Sequence, residues 1–317
     1  MLKVWIEAMR LRTLPVSVAG VIAGIACAVF LGKFNAVPAV LCLLFATLAQ
    51  IASNFGNEYY DYKNGVDKKG REGFRRGVTE GEISPKAMKI ATFFTLALAG
   101  VVGCMMLFYG PWWLVIVGVV IMLFALAYST GPYPLSHHGL GDVAVVLFFG
   151  VVPVVFTCFL QTESWEGLQF VLPTSITIGL LAANVLIVNN YRDMEDDAAV
   201  NKRTTVVIFG RKIMGRVYLW SGIIGMLLML PLWLSLPAWS LITPILYMVL
   251  HINTWRQLKK SLGAQLNPLL GKTAINLLVF AVMLLFACIL DMQDHVCADY
   301  YFYNFSSVVN PLCIPIE

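Results

Sequence analysis

Nine apolar stretches of about 20 residues most restrict how this chain can fold, because a helix needs that length to cross the hydrocarbon core of a bilayer. They fall near residues 14–32, 36–60, 87–108, 111–129, 140–161, 170–192, 213–234, 238–255 and 269–290. A long apolar run can also be a buried helix of a soluble domain, but nine in 317 residues leave nothing to face water. The chain is 59% hydrophobic and 13% charged, against roughly 45–50% and 25% in soluble domains. That balance excludes a soluble enzyme, a disordered chain and a nucleic-acid binder. A membrane barrel would alternate apolar and polar residues over segments of about 10 residues, and no such alternation is present. The first stretch follows Lys3, Arg10 and Arg12 as a secretory leader would, yet no small-residue cleavage pattern follows and a second span begins almost at once. The expectation is an all-α, polytopic membrane protein with nine transmembrane helices within 1–290, followed by an unassigned tail, 291–317.

Basic residues accumulate on the cytoplasmic side of a membrane protein. With a cytoplasmic N-terminus, the inside segments hold 21 of the 22 Lys and Arg residues, Lys33 being the exception. A wrong span count would scramble this segregation. The expected location is therefore a bacterial cytoplasmic (inner) membrane. The tail has acidic residues and no basic ones, as an external segment should, and its Cys297 and Cys313 are candidates for a disulfide. The five other cysteines lie in apolar spans and read as small hydrophobes. No Cys/His spacing suggests zinc.

Polar groups at the ends of apolar helices are costly in a membrane and usually mark function. The second stretch ends in Asn54, Asn57, Glu58 and Asp61, spaced i, i+3, i+4 and i+7 on one helical face, with Asp67 following. The sixth ends in Asn190, Asp193 and Asp197 at i, i+3 and i+7. The same frame thus occurs twice, four spans apart and on the same side, as a weak internal duplication would leave it. Clustered carboxylates and carboxamides make an oxygen-rich site for a hard cation. Mg²⁺ typically takes one or two carboxylates and leaves other positions to water and phosphates. Arg71, Arg75 and Arg76 follow the first cluster, and Lys202, Arg203 and Arg211 the second. Such cations bind phosphate. Together these residues fit a diphosphate whose hydrocarbon tail lies in the bilayer.

These residues resemble the UbiA superfamily of intramembrane aromatic prenyltransferases, which has nine transmembrane helices and Asp-rich motifs on the second and sixth. The resemblance rests on Arg12-Thr13-Leu14-Pro15, on Asn54 to Asp67, and on Arg75-Arg76-Gly77-Val78 with Gly81-Glu82-Ile83-Ser84. It continues in Tyr128-Ser129-Thr130-Gly131-Pro132-Tyr133-Pro134-Leu135, Gly139-Leu140-Gly141-Asp142, Asn189-Asn190-Tyr191-Arg192-Asp193 and Asn201-Lys202-Arg203-Thr204. It spans about residues 4 to 290. Within the superfamily the chain looks most like the branch that prenylates 1,4-dihydroxy-2-naphthoate in menaquinone biosynthesis.

The resemblance implies a UbiA-type bundle and Mg²⁺-dependent transfer of a polyprenyl group from its diphosphate to an aromatic acid. In the naphthoate branch CO₂ is lost and demethylmenaquinol forms. Asn54, Asn57, Glu58 and Asp61 are then expected to hold one Mg²⁺, and Asp193 and Asp197 a second. Arg76, Lys202 and Arg203 are expected at the phosphates, and Arg12, Tyr128 and Asn190 at the substrates. Asp67 and Asp196 would support the metal ligands or face water. His137 and His138 are candidates for proton transfer, and Tyr59, Tyr60, Tyr128, Tyr133 and Tyr191 for shielding a carbocation. Glu58 departs from the Asp more usual at its position in the family; the charge is kept with one more methylene. A sister enzyme using 4-hydroxybenzoate is the nearest rival, although no Lys or Arg lies between Tyr128 and Asp142 as that branch would have. A CDP-alcohol phosphotransferase would show Asp-Gly-x-x-Ala-Arg, which is missing, and a transporter would hold its polar groups near mid-membrane.

Overall fold

The computed structural model describes the chain except residues 68, 70–72 and 310–317, and describes only the backbone over 294–309. Among the described residues it is all helix and loop, apart from an isolated β-bridge between His138 and Arg203. The helices are α1 (Leu2–Met9), α2 (Leu14–Phe30), α3 (Ala36–Lys63), α4 (Pro85–Met105), α5 (Leu114–Ala127) and α6 (Gly141–Val145). There follow α7 (Val152–Thr162), α8 (Leu168–Arg192), α9 (Met194–Ala199), α10 (Thr205–Leu228), α11 (Leu230–Ser235), α12 (Ile242–Leu258) and α13 (Asn267–Val309). Local sequence sets the starts. Asn35 accepts the Val37 N–H, Ser84 the Ala87 N–H ahead of Pro85, and Thr204 the Val207 N–H. These caps satisfy backbone donors that a helix leaves open at its first turn.

Each of the nine expected stretches has a helix at its centre, but not all nine reach the length and hydropathy of a span. Six do: Ala36–Lys63, Pro85–Phe108, Gly141–Thr162, Leu168–Arg192, Thr205–Ser235 and Gly263–Gln293. A seventh is reached by taking α1 and α2 together across a 51° bend. Helix α5 has 14 residues, roughly 21 Å at 1.5 Å per residue, against a core of about 30 Å. Helix α12 has 17 residues and includes His251, Asn253 and Arg256. Helix α13 runs without a break past residue 290, so the boundary expected there is not a helix end. The suggested Cys297–Cys313 pairing falls outside the described side chains, as do Lys68 and Arg71.

Close packing centres on α2, which is buried along most of its length against α7, α8 and α13. Small residues permit this. A Cβ on Gly150 would stand 2.4 Å from Gly179, so α8 meets the Gly141–Thr162 segment backbone to backbone. That segment widens into a π-helical turn at Val146–Val151, just ahead of Pro153, whose missing N–H breaks the α ladder. Hydrogen bonds join the remaining helices. Thr177 donates to the Gly225 carbonyl (2.9 Å), Ser221 to Asn184 Oδ1 (2.9 Å), and Tyr218 shares a bond with Thr254 (2.8 Å). Interhelical bonds of this kind replace the hydrophobic drive that lipid cannot supply.

Candidate active site

One end of the bundle collects a set of helix termini. There α3 and α8 end and α2, α6, α10 and α13 begin, around a polar cavity of ≈ 180 Å³. Of the twelve residues expected at the site, eight line it: Asn54, Asn57, Asp61, Arg76, Tyr128, Asn190, Asp193 and Lys202. The structure thus brings both motifs to one place.

The first motif lies on a helix that continues unbroken to Lys63. Asn54 is buried and donates to the Met9 carbonyl (2.9 Å), and Gln50 donates to its Oδ1. Asn57 Oδ1 accepts from the Ser129 hydroxyl. Asp61 lies 3.8 Å from the Arg76 guanidinium, whose Nε is 3.1 Å from the buried Asp67. Glu58 does not line the cavity. It is 1% exposed, and its carboxylate accepts the Val78 N–H (3.0 Å), pinning the loop between α3 and α4.

The second motif is divided, because α8 ends at Arg192 and a new helix begins at Met194. Arg192 is 3% exposed and grips Asp193 through two N–H···O bonds of 2.6 and 2.7 Å, while donating also to Asn189 and Asn267 (2.9 Å each). Asp197 lies on α9 outside the cavity wall, paired with Lys202 at 3.1 Å. Asp196 is exposed. Glu195 is held by Arg211 (2.6 Å), which keeps its carboxyl below the usual range.

Arg12 and Arg203 are exposed and line no part of the cavity. The Arg12 guanidinium sits 4.9 Å from the Phe74 ring, and Arg192 sits 5.2 Å from the same ring, so Phe74 joins the N-terminal segment to the second motif. The Arg203 N–H donates to the His137 carbonyl (3.0 Å), tying the loop before α6 to the loop before α10. His137 and His138 do not line the cavity. Burial, then Lys202 and His138, push the His137 imidazole down in pKa, and His138 stacks on Tyr133. Of the five tyrosines only Tyr128 reaches the cavity.

Beside the polar cavity lies an apolar chamber of ≈ 310 Å³ between α3, α4, α5 and the Gly141–Thr162 segment, with Phe45, Met122, Phe124 and Phe148 in its wall. Gln50, Ser53, Tyr128, Val145 and Phe149 line both spaces. A polar head and an apolar tail can therefore be seated across one shared wall. Residues 17–270 match the UbiA prenyltransferase family. The chain belongs to this family. The 1,4-dihydroxy-2-naphthoate octaprenyltransferase of Haemophilus influenzae is 36% identical over 231 residues, covering 68% of this chain and 72% of that one. The enzyme of the same description from Mycobacterium tuberculosis is 30% identical, covering 88% and 94%. Among solved structures, a UbiA homologue from Archaeoglobus fulgidus bound to DMAPP and Mg²⁺ superposes with a TM-score of 0.64 at 16% identity, over 90% of this chain and 99% of that one. A UbiA homologue from Aeropyrum pernix gives 0.66 at 12% identity, over 84% and 96%.

Within this UbiA fold, the cavity also has walls that spacing did not single out: Arg10, Phe74, Asp142, Asn189, Arg192 and Thr205. Arg10 has φ 53° at the bend between α1 and α2. A lone Arg before a span looks like a topology signal, so nothing in the sequence separates it from Lys3. Arg192 had a signal, a cation adjoining the motif carboxylate. Among the described residues no three or more His, Cys, Asp or Glu side chains are close enough to hold a metal ion. Each motif contributes one carboxylate to the cavity wall, Asp61 and Asp193, each beside a guanidinium, and Asp142 adds a third from outside both motifs.

Proposed function

We propose that this protein transfers a polyprenyl group from its diphosphate to 1,4-dihydroxy-2-naphthoate with loss of CO₂, giving demethylmenaquinol for menaquinone biosynthesis. The observation that carries the reading is the shared wall between a charged cavity and an apolar chamber, with one motif contributing to each side of the charged part. A polyprenyl diphosphate has this division, and the bond to be broken lies at its boundary. The naphthoate acceptor is supported by relatives at 29–36% identity described as 1,4-dihydroxy-2-naphthoate octaprenyltransferases.

Arg10, Arg76 and Lys202 bind the diphosphate oxygens and neutralise charge as the allylic C–O bond ionises. Asn57, Asp61 and Asp193, with Asn54 and Asn190 beside them, form an all-oxygen donor set. It fits Mg²⁺ shared with substrate phosphates, since the ion needs only one or two carboxylates of protein origin. When bound, the ion supplies further charge neutralisation to the leaving group. Glu58 and Asp197 act one step back: Glu58 by holding the Val78 loop, Asp197 by aiming Lys202. Phe45, Phe148 and Phe149 keep water from the allylic cation while the ring attacks it. Arg12 braces Phe74 over the site, and Arg203 ties two loops together. The nine helices cross a bacterial inner membrane with the N-terminus and this site on the cytoplasmic face, because that face carries nearly all the basic residues. The short α5 and α12 complete their spans with flanking residues.

Purified protein in detergent, given labelled polyprenyl diphosphate, Mg²⁺ and each aromatic acid in turn, tests the reading. Prenylated naphthoquinol with released CO₂ is the expected product. Product from 4-hydroxybenzoate and none from dihydroxynaphthoate would overturn the acceptor.

A further inference from the structure

The diphosphate and tail account for the motif residues and the apolar chamber, but not for Asp142. It lines the polar cavity at the start of α6, one turn before Val145, which lines both spaces. Its Oδ2 accepts from the Thr205 hydroxyl (2.5 Å). Its Oδ1 is shut off from solvent and has no hydrogen-bond partner. Asp61 and Asp193, the other carboxylates of the wall, stand against Arg76 and Arg192. Asp142 alone of the three has no Lys, Arg or His in ion-pair contact among the described residues. A Cβ on the neighbouring Gly141 would lie 3.3 Å from the Tyr128 hydroxyl, so that phenol borders the same turn. Buried carboxylate oxygens are rarely left without a donor, and this one belongs to a residue of the polar cavity wall one turn from Val145, where the polar and apolar spaces meet.

We propose that Asp142 receives a ring hydroxyl of the aromatic acceptor and is its catalytic base. The inference rests on the prenyl-transfer reading above. The acceptor O–H donates to Oδ1, supplying the hydrogen-bond partner that this buried oxygen lacks. As the ring carbon bearing the carboxylate bonds to the allylic carbon, the hydroxyl proton passes to Oδ1 and the ring becomes a ketone at that oxygen. The C–O bond to the diphosphate breaks and its electron pair leaves with the diphosphate. Loss of CO₂ then returns the C–C pair to the ring, leaving a phenolate that takes the proton back from Asp142. No proton is gained or lost overall. Thr205 is the positioning residue that fixes the carboxyl plane through Oδ2.

The test compares Asp142→Asn, Asp142→Glu and Thr205→Val in the full-length protein with Mg²⁺, polyprenyl diphosphate and dihydroxynaphthoate. A positioned base contributes ~10²–10⁴-fold, so Asp142→Asn should lower kcat by that range while KM for the diphosphate stays within about twofold. Asp142→Glu should recover at least about tenfold over the Asn variant, and Thr205→Val should lose less than about fivefold. A kcat for Asp142→Asn within about threefold of the parent would overturn the assignment. So would a Thr205→Val variant as impaired as Asp142→Asn together with no rescue by Glu, which is the pattern of a packing brace. A parent protein that makes no prenylated naphthoquinol would refute the function itself. An active parent with an unaffected Asp142→Asn would refute only this inference.

Discussion

Asn54, Asn57 and Asp61 on α3 have the same spacing as Asn190, Asp193 and Asp197, yet α3 continues through its third member to Lys63 while α8 stops before its second. All three members of the first frame line the cavity. In the second frame Asn190 and Asp193 do, and Asp197 is carried off on α9 to pair with Lys202. The carboxylates differ too. Asp61 is 3.8 Å from its guanidinium, whereas Asp193 is held by two short bonds from the buried Arg192. Equal spacing gives equal faces only on an unbroken helix. The first motif thus lies along one continuous cavity-lining helix face, and the second is split at a braced Arg192–Asp193 charge pair.

Replacing either cavity carboxylate should sharpen this contrast most. Asp61→Ala and Asp193→Ala are each expected to lower turnover by ~10²-fold or more, as loss of a transition-state charge partner does. Asp193→Ala should also destabilise the fold, by about 3–5 kcal/mol, because it strips a buried guanidinium of its carboxylate. Thermal unfolding in detergent separates the two. A parent-like midpoint for Asp193→Ala would break the reading of the second motif as a braced charge pair. Arg192→Lys keeps the charge and loses the fork, and should cost about 2–3 kcal/mol with a smaller fall in kcat than Asp193→Ala. Asp197→Asn should reduce kcat by roughly tenfold and weaken diphosphate binding, less than Asp61→Asn, since it acts through Lys202. An Asp197 variant as inactive as Asp61→Asn would return it to the metal-binding set.

The smallest effect belongs to the rim of the second motif. Glu195 has its carboxyl lowered by Arg211, but its side chain is 70% exposed. A folded-state value below the unfolded one adds stability that is present above the usual carboxylate range and is lost as the pH falls through the lowered value. Exposure limits this to about 0–1 kcal/mol. Glu195→Gln should therefore shift the unfolding midpoint slightly at neutral pH and leave acid unfolding almost unchanged.

Much of the site was legible in the residues. The repeat of one polar frame at two helix ends announced where α3 and α8 would meet, and eight of the expected residues share the cavity wall. Glu58 stands outside the cavity wall although charge and spacing place it on the motif face, because its partner, the Val78 amide, lies 20 residues away in a loop. Asp142 belongs to a motif that carries the family resemblance but has no legible role there, and Arg10 reads only as a topology charge, because each stands alone in sequence and only the closing of the bundle brings both to the cavity. The weak spans tell the same story. Helices α5 and α12 begin later than the apolar stretches do, at Leu114 shortly after Pro111 and at Ile242 after a 3₁₀ turn that follows Pro237.

The sequence by itself determined that this chain is helical, lives in a bilayer and carries two oxygen-rich helix ends, each followed by a basic loop. Those properties follow from hydropathy, charge segregation and helical period, which are local or additive along the chain. Tertiary structure decided which carboxylates face the cavity and which are spent on the scaffold. That choice depends on where α8 breaks, how α6 meets α10 through Asp142 and Thr205, and which guanidinium reaches each acid. A hydrogen bond between residues 63 positions apart is fixed by packing, and no local pattern encodes it.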